Sequence, residues 1–241
     1  MAEQLGAGPG RASAEKIGRE RRPAQCRSLL LFFCCSQALA HEFLPAEIAA
    51  FRTQHPRVAF DVKVLDHERA INALAAYETD LVLVFRPPFL ATFQPLISLE
   101  QRLVALMSAD HPLVGRRTIR LRDCAAYPVA LPDRSIGGRQ LLDEVAARAG
   151  LKFEIVAESN SLEFLRCYLA RERLISFQIE IGAPSANADV VARPIDDRDI
   201  PRADLVLGGL RGRNLPVAIA MFAERLARWL EAMRKAQSHA A

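Results

Sequence analysis

No apolar run in this sequence approaches the roughly 20 residues that a helix needs to cross a bilayer, which excludes a helical membrane span. Cysteine is sparse: the five stand at 26, 34, 35, 124 and 167. An odd number with one adjacent pair and no CxxC argues against both a disulfide framework and a zinc site. The spacing reads as reduced thiols in a cytoplasmic protein. The five histidines (41, 55, 67, 111 and 239) are isolated, and two of them, His55 and His111, precede proline, which reads as turn placement. Neither GxSxG nor HExxH occurs. No catalytic constellation, metal site or cofactor is therefore expected. Charge of one sign is also scarce. The 32 Lys and Arg against 28 Asp and Glu leave +4, with no basic stripe outside the N-terminus to mark a nucleic-acid surface.

The 241 residues are 51% hydrophobic, enough to bury a core in one large domain or two small ones. Residues 1–25 are rich in Gly, Ala and Arg without apolar periodicity, and read as an atypical or disordered N-terminal segment. SLLLFFCC, ending at Cys35, suits a buried strand. Leu44, Ile48 and Phe51 lie at helical spacing before Pro56. Val58, Phe60, Val62 and Val64 alternate as in a strand, Asp66 can cap a helix that buries Ile71 and Leu74, and DLVLVF is a continuous apolar strand. The rhythm resumes after Pro87 and Pro88 with QRLVALM, PVALP, a helix from about Arg139 ended by Gly150, FEIVAES, a helix capped by Ser161, and LISF. ADLVLGGL follows, and then a helix with an apolar stripe of Val217, Met221, Phe222, Leu226, Trp229 and Leu230. Strand and helix alternating in this way is an α/β fold with right-handed crossovers.

Four stretches carry a family resemblance. HEFLPAEIAAFRTQHPRVAFDVKV and AINALAAYETDLVLVF pair an amphipathic helix with the strand after it, twice. SADHPLVGRRTIRLRDCAAYPVALP holds a His-Pro-Leu turn and a basic, Ile, Leu, Asp segment, and SNSLEFLRCYLARERLISF is a further helix and strand. In their order and spacing over residues 41–229 these resemble the effector-binding half of LysR-type transcriptional regulators. The resemblance implies two Rossmann-like lobes joined by two crossing strands, as in type 2 periplasmic binding proteins. Lobe I would hold residues 26–98 plus 209–241 and lobe II residues 99–208, with crossings near 98–101 and 201–205. Three departures stand out: nothing reads as the family's helix-turn-helix, the first strand is a poor copy, and Arg171-Glu172-Arg173 replaces a small turn.

Ligands of open α/β sheets bind beyond the carboxyl ends of strands, at helix N-termini whose free N–H groups favour anions. This points to a small effector carrying a carboxylate. The residues at those ends are His67 after the Asp66 cap, Arg86 after DLVLVF, and Ser135 and Arg139 around a Gly137-Gly138 turn. Ser159 or Asn160 stands before the Ser161 cap, and Phe177 and Gln178 close a strand. Ser36 stands where the resemblance implies an effector-binding Ser or Thr. Each has a plainer alternative as a cap, a loop cation or a core group.

The implied function is ligand sensing within a dimer or tetramer, not enzyme catalysis, with DNA reached only through a helix-turn-helix outside these residues and no membrane partner. An exported solute-binding protein is the alternative: a basic stretch over residues 19–27, the apolar SLLLFFCC and the A-x-A at residues 38–40 imitate a signal peptide. Cleavage there would remove the first strand. A degenerate gene product is a third.

Overall fold

The computed structural model describes residues 29–41, 43–87, 91–184 and 189–239. The expected N-terminal segment at 1–25, together with Pro88, lies outside them. Ten strands and seven helices alternate along the described residues. The first half runs β1 (Leu29–Cys35), α1 (Gln37–Ala40), α2 (Phe43–Gln54), β2 (Val58–Val64), α3 (His67–Ala75), β3 (Leu81–Phe85) and β4 (Phe93–Gln101). The second runs β5 (Leu103–Ser108), α4 (Leu121–Cys124), β6 (Val129–Pro132), α5 (Gly137–Ala149), β7 (Ile155–Ser159), α6 (Leu162–Leu169) and β8 (Ile175–Ile179). A 3₁₀ turn over Glu180–Gly182, β9 (Val190–Pro194), β10 (Ala203–Leu210) and α7 (Val217–His239) complete the chain.

The strands form two five-stranded sheets, β2-β1-β3-β10-β4 and β7-β6-β8-β5-β9. The two-lobed α/β architecture is therefore as the sequence implies. The expected lobe limits are not. β4 pairs with β10 through Gln101 and Ala203, so residues 99–101 and 203–208 belong to the first sheet, where 99–208 was expected in lobe II. The chain passes between sheets at Arg102 and again between β9 and β10.

In lobe I, β1 lies parallel between β2 and β3. Successive side chains on a strand face opposite ways. Leu31, Phe33 and Cys35 accordingly join the large core cluster, and Cys34 joins a smaller one with Ile71 and Leu74 of α3. On the first face Phe222 of α7 meets Phe33, Phe51 and Phe60 at ring-centroid distances of 5.9, 5.1 and 4.9 Å. The buried stripe of α7 is Ile219, Phe222, Ala223, Leu226 and Leu230. Val217 and Met221 are exposed, although their apolar character placed them on that stripe. At 100° per residue they fall away from the direction set by the fully buried Phe222, Leu226 and Leu230. Val62 and Val64 are exposed as well, because β2 is the edge strand. Cys34, Cys35 and Cys124 are buried and Cys167 is exposed; burial pushes the Cys35 and Cys124 thiols up to about 12 and raises that of Cys34.

Candidate functional site

The carboxyl ends of the parallel strands in both sheets converge on one cavity of about 130 Å³. Lobe I supplies the start of α1, the turn from β2 into α3, and Phe85 at the end of β3. Lobe II supplies the starts of α5 and α6 and the end of β8. The first amides of a helix have no intrahelical acceptor, and four helix starts border this cavity, although side chains already take the Arg69 and Leu162 amides.

Five of the eight expected residues line this cavity: Ser36, His67, Ser135, Phe177 and Gln178. Ser36 is the N-cap of α1 by backbone position; its N–H donates to the Leu83 carbonyl at 3.2 Å, and its carbonyl accepts from Leu39 at 3.1 Å. Its hydroxyl caps nothing, and Oγ is buried without a hydrogen-bond partner. His67 opens α3 beside Asp66, whose carboxylate accepts from the Arg69 amide at 2.8 Å, as a capping aspartate does. The imidazole is 8% exposed, and its Nδ1 is also buried without a partner. An unpaired buried polar atom costs about 1–3 kcal/mol. Two such atoms on one cavity wall are an arrangement that an incoming ligand can satisfy.

The remaining lining sets the cavity's character. Gln178 is held by a hydrogen bond from its Nε2 to the Gly182 carbonyl. Phe177 is buried edge-on to Phe153, with centroids 5.7 Å apart. The Ser135 side chain first, and then its amide, which donates to the Asp133 carboxylate at 2.7 Å, hold that carboxyl below its usual range. Asn160 also lines the cavity. Among the described residues, the only Lys or Arg on the lining is Arg69, which is paired with Asp66 at 3.3 Å.

Three expected residues are elsewhere. Arg139 is 2% exposed and spent on Asp143 at 2.8 Å, on the Pro132 carbonyl at 2.7 Å and on Glu158. Its side chain ties α5 to β6 and β7. Ser159 Oγ accepts from the Ser161 amide at 3.0 Å, and the residue lines an outer hollow beside Asp133 and Glu158. Arg86 turns away to Glu144 of α5. All three stand at strand or helix ends, as the expectation required, but local carboxylates and amides engage them first.

Sequence reasoning missed Gln37 and Gly182. Gln37 Oε1 accepts from the Leu162 amide at 2.8 Å, so a lobe I side chain caps a lobe II helix. A Cβ on Gly182 would lie 2.3 Å from the Ala38 carbonyl oxygen, so the lobes meet there only because the residue is glycine. Neither has a local signal; Gln37 and Leu162 are 125 residues apart.

A two-lobed cleft at strand ends is the geometry expected of a ligand-sensing domain, and the LysR substrate binding domain family model matches residues 27–231. The chain belongs to this family. A curated relative, the HTH-type transcriptional regulator CysB of Burkholderia cenocepacia, is 24% identical over 207 residues, covering 84% of this chain and 61% of the relative. A probable nitrogen assimilation transcriptional activator of Synechococcus elongatus is 29% identical over 127 residues, 52% of this chain and 41% of its own length. The matches thus span about half the length of these regulators. Among solved structures, the regulatory domain of CcmR from Synechocystis PCC6803 in complex with 2-PG superposes with a TM-score of 0.70 at 22% identity, covering 86% of this chain and 97% of that one. The effector binding domain of QuiR in complex with shikimate gives 0.69 at 18% identity, with 84% and 97% covered. The family is one of regulators rather than enzymes, in keeping with the sequence reading. No helix among the described residues is long and apolar enough to cross a membrane, and no metal-binding group of side chains occurs among them.

Proposed function

We propose that this LysR substrate binding domain senses a small acidic metabolite in the interlobe cavity and transmits its presence to transcription in a longer, cytoplasmic, oligomeric regulator. In that protein DNA would be reached through a helix-turn-helix. The observation that carries the reading is the pair of buried, unpartnered atoms, Ser36 Oγ and His67 Nδ1, on a wall built of helix N-termini. A carboxylate oxygen suits the Ser36 hydroxyl and the amides, and the small volume suits a compact molecule. Complexes of related folds with shikimate and with 2-PG make these two the first probes.

The exported solute-binding reading meets a structural objection. Cleavage after Ala40 would delete β1, the strand that separates β2 from β3.

Calorimetric titration of the chain with shikimate, 2-PG and a panel of mono- and dicarboxylates tests the proposal. Hydrogen bonds to charged groups contribute about 1.5–3 kcal/mol, so Ser36→Ala should weaken a bound acid about 10- to 100-fold. His67→Phe should weaken it as well. Tight binding of a neutral compound with no acid bound would overturn the acidic class. Acid binding that ignores both substitutions would move the site elsewhere.

A further inference from the structure

We propose that Arg86 and Glu144 form a latch that holds the two lobes closed over the effector cavity. Arg86 follows β3 in lobe I, and Glu144 lies on α5 of lobe II. Both guanidinium nitrogens reach the carboxylate: Nη1 and Nη2 each lie 3.2 Å from Oε1, and Nη2 lies 3.1 Å from Oε2. Two-pronged pairing fixes direction as well as distance, so the pair orients α5 against lobe I rather than merely attracting it.

The backbone supports the same role. Arg86 has φ 51, in the left-handed region that a non-glycine residue enters at a cost. Its amide is anchored to the Asp204 carbonyl at 2.8 Å, on β10. The strained conformation therefore places the side chain from a point fixed to the lobe I sheet. Arg148, one turn along α5, also lies 3.5 Å from the Glu144 carboxylate, which holds it on that face.

The contact the latch secures lies directly inside it. Gly137, the first residue of α5, packs so near lobe I that a Cβ there would stand 2.8 Å from the Phe85 carbonyl oxygen and 3.7 Å from His67 Nδ1. Closure on this flank thus brings α5 up to one of the two unpartnered cavity atoms. On the opposite flank the lobes meet through Gln37 and Leu162 and through His41 and Glu163, at 2.8 Å in each case. The chain crosses between the lobes only at Arg102 and between β9 and β10 among the described residues, so side-chain contacts such as these help to set how far the lobes open. Arg86 is thus a positioning residue for the cavity and not a ligand contact. Because its side chain is 29% exposed and that of Glu144 42%, ionic strength acts on the latch directly.

The consequence for ligand entry rests on the reading of the cavity as the effector site, but the closure itself is measured without ligand, so the two fail separately. The Leu162 amide is bonded across the lobes, and its hydrogen exchange reports their separation. Exchange is followed by NMR in the full chain for wild type, Arg86→Met, Glu144→Met and the double variant. Each single substitution should speed exchange at Leu162 about two- to five-fold, the range for a well-formed, partly exposed ion pair. The double variant should be no faster than either single, and added salt should speed the wild type more than Arg86→Met, in which the exposed His41–Glu163 pair is still screened. Amides of Ala105 and Leu106 in the middle of β5 should keep their wild-type rates. Unchanged exchange at Leu162, additive effects in the double variant, or acceleration that includes β5 would each overturn the latch.

Discussion

His111 shows how one buried side chain acquires a pH dependence. It is 3% exposed in the turn after β5, where its Nδ1 accepts from the Leu113 amide at 3.2 Å and its Nε2 has no partner. Burial, the chief cause, pushes its pKa below the usual 6.5; Asp110 opposes this and Arg173 adds to it. The folded state therefore holds the ring neutral while the unfolded chain takes up a proton near pH 6.5. Stability from this residue is full above that pH and declines as pH falls toward the lower folded value, by at most about 1.4 kcal/mol per pH unit. His111→Asn keeps an acceptor for Leu113 and removes the titration. Thermal melts at pH 7.5 and 5.5 should show a smaller acid-induced drop in Tm for the variant than for the wild type; an equal drop would assign the acid sensitivity elsewhere. The carboxylates act in a separate, more acidic window. Asp199, held below its usual range first by its hydrogen bond from Arg120, contributes stability that is present above the usual aspartate pKa and lost as pH falls through the depressed folded value. At this scale the sequence was partly legible. Ser36 and His67 stood out as polar groups at element ends, and Arg86, Arg139 and Ser159 met the same criterion; Arg139 and Ser159 have partners four and two residues away, whereas the Glu144 partner of Arg86 is 58 residues off and no local pattern displays it.

Helix α7 makes the corresponding point for elements. The apolar stripe was visible in the sequence, but its direction was not, since Val217 and Met221 fit a helical period yet face solvent. Phe222, with no exposure and three aromatic neighbours, is the centre of the buried face. Phe222→Ala should cost about 3–5 kcal/mol, by transfer and cavity terms together. Met221→Ala should stay within about 0.5 kcal/mol, as an exposed change does. Urea denaturation of the two variants checks this, and similar losses for both would restore the wider stripe. Strand β3 was legible because all five of its residues are buried, giving an uninterrupted apolar run. β4 escaped notice for the opposite reason: Phe93, Leu99 and Gln101 are its only buried residues and Pro95 interrupts it. It is a strand because β10 pairs along its whole length, and that partner is remote in sequence.

For the whole molecule, the order of α/β units could be read before any coordinates, because each unit is local. The facing of the two lobes could not, since it depends on the Gln37–Leu162 and Arg86–Glu144 contacts, which span 125 and 58 residues. Removal of residues 1–40, as signal-peptide cleavage would accomplish, tests how far the whole depends on its first strand. β1 provides the pairing for all seven residues of β2 and, with Phe33 and Cys35, part of the core beneath α7. The shortened chain should lose the cooperative urea transition of lobe I, seen by tryptophan fluorescence at Trp229, which packs 4.2 Å from Phe43 in that lobe. An unchanged transition would show β1 to be dispensable and would revive the exported reading.

The return of β10 and α7 to the first sheet also imposes a timetable on the growing polypeptide. Chains emerge from the ribosome N-terminus first, at about 5–20 residues per second. The strands of the second sheet, β5 to β9, are contiguous in sequence, so that lobe has all its partners once Pro194 has emerged. The first sheet has β1, β2 and β3 much earlier but cannot close, because β10, which lies between β3 and β4, and the helix that covers Phe33 are the last pieces made. The portion synthesised first is thus completed last, and for most of translation β3 presents an open, apolar edge.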